Sequence, residues 1–181
     1  MLRHINLPYT VLNFKAHNRL KSDILGAIEE IAPNSISAAD YKIYKTDWDQ
    51  SNNGSKKYVD ILHSDVSAEL TEVFQSFGFD CYNVHNIWFQ QYIKHNSHPW
   101  HTHTDCHYTC IYYVELPDDA PRTQFIDPID HTRVFEIDVK EGDILIIPSM
   151  IKHRSPLVEN NVRKTIISFN TSLVCDNAQQ G

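Results

Sequence analysis

H-P-W-H-T-H-T-D-C-H-Y-T-C-I-Y-Y, residues 98–113, joins a histidine-rich segment to an aromatic and apolar one. In an extended chain alternate side chains point to the same side, so His101, His103 and Asp105 are predicted to share a face. A strand buried in a core has no reason to begin with three polar residues of the metal-ligand type. The stretch therefore predicts a metal site at the start of a β-strand, with a His-x-Asp pair that requires a distant third ligand.

Strand and turn signals continue on the carboxyl side of this stretch. Predicted strands span 87–93, 99–105, 108–116, 123–126, 133–139, 143–147, 151–154 and 163–172. Turn sequences such as Pro117-Asp118-Asp119 and Glu141-Gly142-Asp143 separate most of them. Short strands at this spacing are typical of a β-sandwich or barrel. The segment I-L-I-I, 144–147, is apolar on both faces, which predicts a strand that is covered on both sides.

Two amphipathic helices are predicted on the amino side of these strands. Apolar residues recur at helical spacing from Asn18 until Pro33, and again from Ser64 until Gly78. We predict that both helices pack on the outside of one sheet. The chain is interpreted as a single domain, 1–181, with a helical or mixed support region, 1–85, and a catalytic β core, 86–173. The acidic segment Asp47-Trp48-Asp49 is interpreted as a solvated loop, with contact to the substrate as the alternative.

The composition is that of a globular chain of ordinary domain size. Of the 181 residues 41% are hydrophobic and 22% are charged. A net charge of −7 argues against general binding to nucleic acid or anionic membranes, and no apolar run approaches the length of a membrane helix. The four cysteines form no Cys-x-x-Cys pair, and the first residues lack the apolar core of a signal peptide. We expect a cytoplasmic protein with no nucleic-acid or membrane partner. The sequence contains no signal for a particular oligomeric state.

Two later motifs complete a candidate site with His103 and Asp105. His153 follows the apolar segment G-D-I-L-I-I-P, Arg163 comes ten residues later, and Thr165 follows two residues after that. Two imidazoles and one carboxylate form a facial triad for Fe(II), which leaves about three positions for a bidentate 2-oxo acid and dioxygen. Arginine binds carboxylates through two parallel hydrogen bonds and stays protonated, so Arg163 and Thr165 are predicted to bind the distal carboxylate of 2-oxoglutarate.

These motifs resemble those of the Fe(II)/2-oxoglutarate-dependent oxygenases. The family pattern is His-x-Asp/Glu, a distal His, and about ten residues later an Arg that is followed by Ser or Thr; it matches His103, Asp105, His153, Arg163 and Thr165. More narrowly, the chain is similar to a group of small 2OG-Fe(II) oxygenases with H-x-H…SGVYY-like, GDLLLFPS…H-like and R-x-S-x-SFN-like motifs. The resemblance covers residues 87–171, about half of the chain.

The resemblance implies a mainly β fold with N-terminal helices and a double-stranded β-helix (jelly-roll, cupin-like) core. It implies a dioxygenase that uses Fe(II), 2-oxoglutarate and dioxygen. Such an enzyme couples decarboxylation of 2-oxoglutarate to succinate with oxidation, usually hydroxylation, of its substrate. The substrate is expected to be a small molecule or a peptide. Tyr92, on the strand before the ligands, is a candidate hydrogen-bond donor to 2-oxoglutarate.

Two alternatives remain open at the level of the sequence. The ligands His101, His103 and His153 would form a three-histidine site of the kind found in cupin-type metalloenzymes, which work without 2-oxoglutarate. A non-catalytic β-sandwich, in which the histidines serve a binding surface, is the second alternative. Asp105 is the residue that distinguishes the two ligand sets, because it is needed only in the first.

Overall fold

The computed structural model describes residues 8–32, 34–38, 41–51 and 55–174. Its helices are α1 (His17–Glu29), a short 3₁₀ helix (Trp48–Gln50) and α2 (Lys57–Ser76). Its strands are β1 (Thr10–Asn13), β2 (Ile36–Ala38), β3 (Tyr41–Ile43), β4 (Lys45–Thr46), β5 (Cys81–Tyr92), β6 (His98–His101), β7 (Tyr108–Glu115), β8 (Gln124–Ile126), β9 (Val134–Glu136), β10 (Asp143–Pro148), β11 (His153–Ser155) and β12 (Lys164–Val174). Pro33, which is predicted to end the first helix, and Cys175 lie outside the described residues.

Two antiparallel sheets form the double-stranded β-helix core. The larger sheet has the strand order β1-β10-β7-β12-β5-β4, and the smaller sheet has the order β6-β11-β8-β9. Strands β2 and β3 form a separate hairpin. Each of the eight predicted strands corresponds to one of β5–β12, and the predicted fold class is confirmed. The predicted boundary at 85/86 falls inside β5, and β1 and β4 pair with core strands.

The larger sheet is covered on both faces, because its strands alternate between two apolar clusters. Tyr112 and Ile146 belong to the cluster that the helices complete, whereas Tyr113 and Leu145 belong to the cluster between the two sheets. Residues 144–147 are fully buried, as their apolar pattern predicts. Since successive side chains of a strand point to opposite faces, the face that a residue occupies in this sheet decides whether it meets a helix or the interior of the sandwich.

Both helices pack on the outer face of the larger sheet, as predicted. Helix α2 begins at Lys57 and not near Ser64, which lies within the helix. The apolar stripe extends further toward the N-terminus than predicted, because Tyr58 and Leu62 are buried in the same cluster as Phe74. Gly78 follows the helix in the left-handed conformation, with φ of 88°, which a residue without Cβ adopts at little cost.

The segment that joins β4 to α2 is anchored by a buried ion pair. The ammonium of Lys56 lies 2.7 Å from the Asp47 carboxylate, and the two side chains are 6% and 3% exposed. The other Asp47 oxygen accepts a hydrogen bond from the Phe89 backbone N–H at 2.9 Å. The interpretation of Asp47 as a solvated residue is therefore wrong, whereas the neighbouring Trp48 and Asp49 are exposed.

Candidate active site

Three histidines meet at the end of the smaller sheet. His101 on β6 is the backbone partner of His153 on β11, and the centres of their rings are 4.4 Å apart. His103 lies in the loop after β6, where its backbone N–H donates to the Ser149 carbonyl at 3.0 Å. One ring nitrogen from each histidine lies within 4.8 Å of the others. The spacing between these nitrogens is suitable for a single bound cation.

Hydrogen bonds fix the tautomer of all three rings. The Nδ1 atom donates to the Pro99 carbonyl in His101 at 2.8 Å, and to the Ile151 carbonyl in His153 at 2.9 Å. In His103 the Nδ1 atom donates to the amide oxygen of Asn170 at 2.8 Å. Because these oxygens only accept, each Nδ1 carries the proton and each Nε2 keeps a lone pair for a metal. The residues present therefore fit a divalent transition-metal ion.

Burial keeps these imidazoles neutral. Loss of solvation lowers the pKa of His103 to about 4 and holds the pKa of His153 well below its usual value. It also lowers the pKa of His101. His98, whose ring lies 4.1 Å from that of His101, has its pKa lowered to about 3 by burial and by the neighbouring histidines. Only the neutral form of imidazole binds a metal, so the cluster is in its ligand form at neutral pH.

Asp105 lies apart from this cluster. Strand β6 ends at His101, so the strict alternation that predicted a shared face for His101, His103 and Asp105 does not extend to Asp105. Its backbone adopts a left-handed conformation with φ of 60°, and its side chain is exposed. Within the described parts of the chain, the three histidines form the one group with the proximity that a metal requires. The structure thus brings together the alternative ligand set, His101, His103 and His153.

The histidines line a cavity of about 600 Å³ between the two sheets. Its buried walls include Tyr92, Ile111, Thr123 and Ile166, and its exposed rim includes Trp48, Asp49 and Asp105. The apolar walls exclude water from the interior, whereas the rim is open to solvent. A small ligand can therefore reach the histidines and lie largely enclosed, as ligands usually do in protein pockets.

Lys164, and not Arg163, is on the cavity side of β12. Lys164 is paired with Tyr92, and Ile166 and Ser168 are the next residues on the same face; Tyr92, Ile166 and Ser168 all line the cavity. The Lys164 ammonium donates to the Ser155 hydroxyl, which also lines the cavity, at 3.2 Å, and to the Pro121 carbonyl at 2.9 Å. Lys164 therefore brings a cation directly behind a residue that lines the cavity.

The surroundings of Lys164 contain neutral acceptors. It makes no ion pair with a carboxylate of the described residues, and it is fully buried. Desolvation, followed by the nearby positive charge of Arg122, lowers its pKa to about 7, although Glu136 acts in the opposite direction. The hydroxyl of Tyr92 is buried and has no hydrogen-bond partner. An unpaired cation beside an unused hydroxyl is a suitable environment for a carboxylate ligand.

Arg163 and Thr165 lie on the opposite side of the same strand. Arg163 donates from Nε and Nη2 to the two oxygens of Glu115, both at 2.9 Å, and from Nη1 to Glu29 at the end of α1. The Thr165 hydroxyl donates to the same Glu115 carboxylate. Neither residue lines the cavity. The structure thus places this pair in a network that joins the sheet to helix α1.

Trp88 and Lys164 were not assigned to the site from sequence, and contact of Trp48 and Asp49 with a substrate was only the alternative to a solvated loop. Lys164 follows Arg163 directly, and its face could have been inferred from the alternation with Ile166 and Ser168. Trp48 and Asp49 carry no such signal, because their segment is far from the histidines in sequence. They reach the cavity only because β4 pairs with the end of β5.

Solved structures with a similar fold include 2-oxoglutarate oxygenases. The 2OG-Fe(II) oxygenase family oxidoreductase from Burkholderia pseudomallei has a TM-score of 0.70 and 12% identity, with 91% of this chain and 85% of that chain covered. The viral collagen prolyl hydroxylase vCPH from Paramecium Bursaria Chlorella virus-1, in complex with 2OG, has a TM-score of 0.63 and 14% identity, with 92% of this chain and 96% of that chain covered. HygX from Streptomyces hygroscopicus, with nickel and 2-oxoglutarate bound, has a TM-score of 0.63 and 9% identity, with 93% of this chain and 84% of that chain covered.

At the level of sequence, no family model and no curated protein matches the chain. The identities to the solved structures are low, so what these proteins demonstrably share is the fold. No helix of the described residues has the length and apolar character needed to span a membrane. The chain therefore has the double-stranded β-helix architecture of these oxygenases, with a three-histidine cluster in its cavity and a buried lysine next to the cavity-lining Ser155.

Proposed function

We propose that the protein is an Fe(II)- and 2-oxoglutarate-dependent dioxygenase that oxidises a small-molecule or peptide substrate, most simply by hydroxylation. The observation that carries the proposal is the convergence of three tethered, neutral histidines on one point of a cavity. A second feature supports it, because a buried lysine without a carboxylate partner among the described residues donates to Ser155, which lines the same cavity. Solved structures with this fold include proteins that hold 2-oxoglutarate together with a metal.

His101, His103 and His153 would hold the iron through their Nε2 atoms. These three protein ligands would leave positions at the metal for the cosubstrate and dioxygen. Bound iron, with 2-oxoglutarate and dioxygen, would supply the oxidation chemistry, in which 2-oxoglutarate would give succinate and carbon dioxide and the substrate would gain an oxygen atom. The contribution of the protein is to fix the ligand geometry, to exclude water and to place the substrate.

The cosubstrate's distal carboxylate is proposed to bind Lys164 and Tyr92. Both side chains are fully buried, the ammonium supplies a positive charge, and the Tyr92 hydroxyl has an unused donor. The sequence motif favours Arg163 and Thr165 for this role, but both are engaged by Glu115 on the other face of β12. Lys164 therefore takes the role that the motif predicts for Arg163.

Apolar residues surround the proposed binding site of the cosubstrate's distal carboxylate. Ile111 and Ile166 are 3% and 5% exposed and keep water away from the proposed carboxylate site. In such surroundings an ammonium–carboxylate contact is stronger than it is in water, because the local dielectric constant is lower. The cavity thus provides a dry environment at its closed end and access for a substrate at its rim.

The test is an anaerobic titration of the iron-loaded protein with 2-oxoglutarate. We expect a weak visible charge-transfer band that saturates with 2-oxoglutarate and is absent from His153→Ala protein. Folded, iron-loaded protein without this band would overturn the proposal. The same result, with iron still bound to the histidines, would favour a cupin-type three-histidine metalloenzyme that works without 2-oxoglutarate, an alternative that the three-histidine ligand set itself supports.

A further inference from the structure

The rim of the cavity presents an aromatic ring and two carboxylates that the proposed binding of iron and 2-oxoglutarate does not use. Trp48 is 55% exposed although it is a large apolar side chain, and it lines the cavity together with Asp49 and Asp105. Tryptophan is enriched among the residues that contribute most of the binding energy at interfaces. The rim thus contains groups that are available to a substrate.

Trp48 and Asp49 are held in place by the buried anchor next to them. Asp47 forms an ion pair with Lys56 beneath the surface and accepts the Phe89 backbone N–H, so all three groups are satisfied inside the protein. A buried ion pair is a costly way to hold a loop, since both charges must leave water. Its consequence here is that the next two residues are presented at a fixed position on the rim, which reduces the entropy lost when a ligand binds.

The lining of the cavity includes two exposed carboxylates and one guanidinium. In the described chain, neither Asp49 nor Asp105 forms an ion pair or a side-chain hydrogen bond. Arg154 is the one arginine or lysine that lines the cavity, but its guanidinium donates twice to Gln124 and stacks on Trp100 at 4.6 Å. The carboxylates of Asp49 and Asp105 are therefore available to a cationic group of a ligand at the rim.

A buried hydrogen-bond donor near the metal position gives independent evidence for a polar ligand. Trp88 lines the cavity, is only 5% exposed, and its Nε1 atom has no hydrogen-bond partner. Its ring stacks on that of His103, with centres 5.6 Å apart. Buried donors without partners are rare in folded proteins because each costs free energy. This indole N–H can therefore donate to an oxygen of a bound ligand.

We infer that the substrate is an organic cation that carries an amine or guanidine together with a carbonyl or hydroxyl oxygen. The cation contacts Asp49, Asp105 and the face of Trp48, and the oxygen accepts from the Nε1 atom of Trp88. This inference rests on the proposed function, because it takes the histidine cluster as the reaction centre. A free basic amino acid and a basic residue within a peptide both have this chemistry.

The test compares cationic ligands with neutral analogues of the same shape. The probes are arginine against citrulline and lysine against norleucine, each as the free amino acid and within an otherwise identical tripeptide. Binding to anaerobic protein loaded with Fe(II) and 2-oxoglutarate is measured by tryptophan fluorescence and by calorimetry. We expect at least one cationic probe to bind about tenfold or more tightly than its neutral analogue, and salt to weaken that preference. A stronger preference among the free amino acids indicates a free substrate, and a stronger preference among the tripeptides indicates a peptidyl substrate.

The variant for this test is the double substitution Asp49→Asn and Asp105→Asn. Asparagine tolerates the left-handed backbone of position 105, so the fold is retained. The double variant should lose most of the charge preference, whereas Asp118→Asn, an exposed change away from the cavity, should keep it. Equal binding of cationic and neutral probes, no binding in any arm, or a preference that survives the double variant would each overturn the inference. The charge-transfer band, recorded on the same samples, shows separately whether the proposed function holds.

Discussion

The Lys164 ammonium lies 5.7 Å from the centre of the Tyr92 ring, and the two residues face each other across β12 and β5. Both are fully buried. Lysine is almost never completely buried unless it is paired, yet the acceptors of Lys164 are a carbonyl and a hydroxyl. The pair therefore offers one positive charge and one hydroxyl donor to an anion in the cavity, and this arrangement can be tested directly.

Lys164→Met should weaken 2-oxoglutarate binding while the iron site stays intact. Loss of one partner of a buried, charge-assisted contact costs about 2 kcal/mol or more, which is about thirtyfold in affinity. The affinity is measured by anaerobic titration of the charge-transfer band. Arg163→Gln is the matched control on the opposite face, and it should bind 2-oxoglutarate like the parent protein. If Arg163→Gln loses the band and Lys164→Met keeps it, the assignment must return to the arginine.

The affinity for 2-oxoglutarate should fall as the pH rises above about 7. The pKa of Lys164 in the free protein is lowered to about 7 by burial, so the ammonium is charged below that pH and neutral above it. The dianion requires the charged form and raises the pKa of the lysine when it binds. Binding should therefore be independent of this group below pH 7 and weaken by up to tenfold per pH unit above it. In Lys164→Met protein this dependence should disappear, and a flat profile in the parent protein would contradict the prediction.

His101→Ala should abolish stable iron binding, whereas Asp105→Asn should retain it. The first change removes one of three converging nitrogens, and the second alters an exposed side chain outside the cluster. Iron content after anaerobic gel filtration measures the difference, with circular dichroism as a check on folding. Iron that survives in His101→Ala protein but not in Asp105→Asn protein would establish the ligand set with the carboxylate.

Asn170→Ala should reduce metal affinity although Asn170 does not contact the metal position. Its amide oxygen accepts the Nδ1 proton of His103 and so directs the Nε2 atom toward the cluster. Removal of such a supporting group typically costs about 10–100-fold in metal affinity. Competition with a chromogenic chelator gives the affinity. Because Thr109 lies 3.3 Å from the same nitrogen, the double variant with Thr109→Val should lose more affinity than either single change.

Local patterns were sufficient to predict most of the fold. The eight core strands follow from runs of apolar and β-branched residues between turn signals, and the helices follow from their apolar spacing. The start of α2 was predicted seven residues too late, because Ser64 resembles an N-cap residue whereas the residue that actually precedes the helix, Lys56, makes no side-chain cap. Pairing with Asp47 fixes Lys56, and that contact cannot be read from the local sequence.

The site was predicted less completely because its geometry depends on which side each residue faces. Counting along the chain identified His103 and His153, and it offered His101 and Asp105 as alternatives. The end of β6 at His101 and the backbone pairing of His101 with His153 bring the three histidines together. Both depend on tertiary structure and cannot be read from the local sequence. The rim residues Trp48 and Asp49 depend on the pairing of β4 with β5, which the sequence does not indicate.

The alternation along β12 also affects how the ancestry of such sites should be traced. Two descendants of this chain, one retaining only Arg163 and the other only Lys164, would have the same charge and nearly the same hydropathy. Only the second would keep a cation toward the cavity, since adjacent residues of a strand face opposite ways. An alignment that scores the mere presence of a basic residue would treat them as equivalent. A comparison of related sequences should therefore ask whether the basic residue lies at a strand position that faces the cavity, as Lys164 does, or at the adjacent position that faces away.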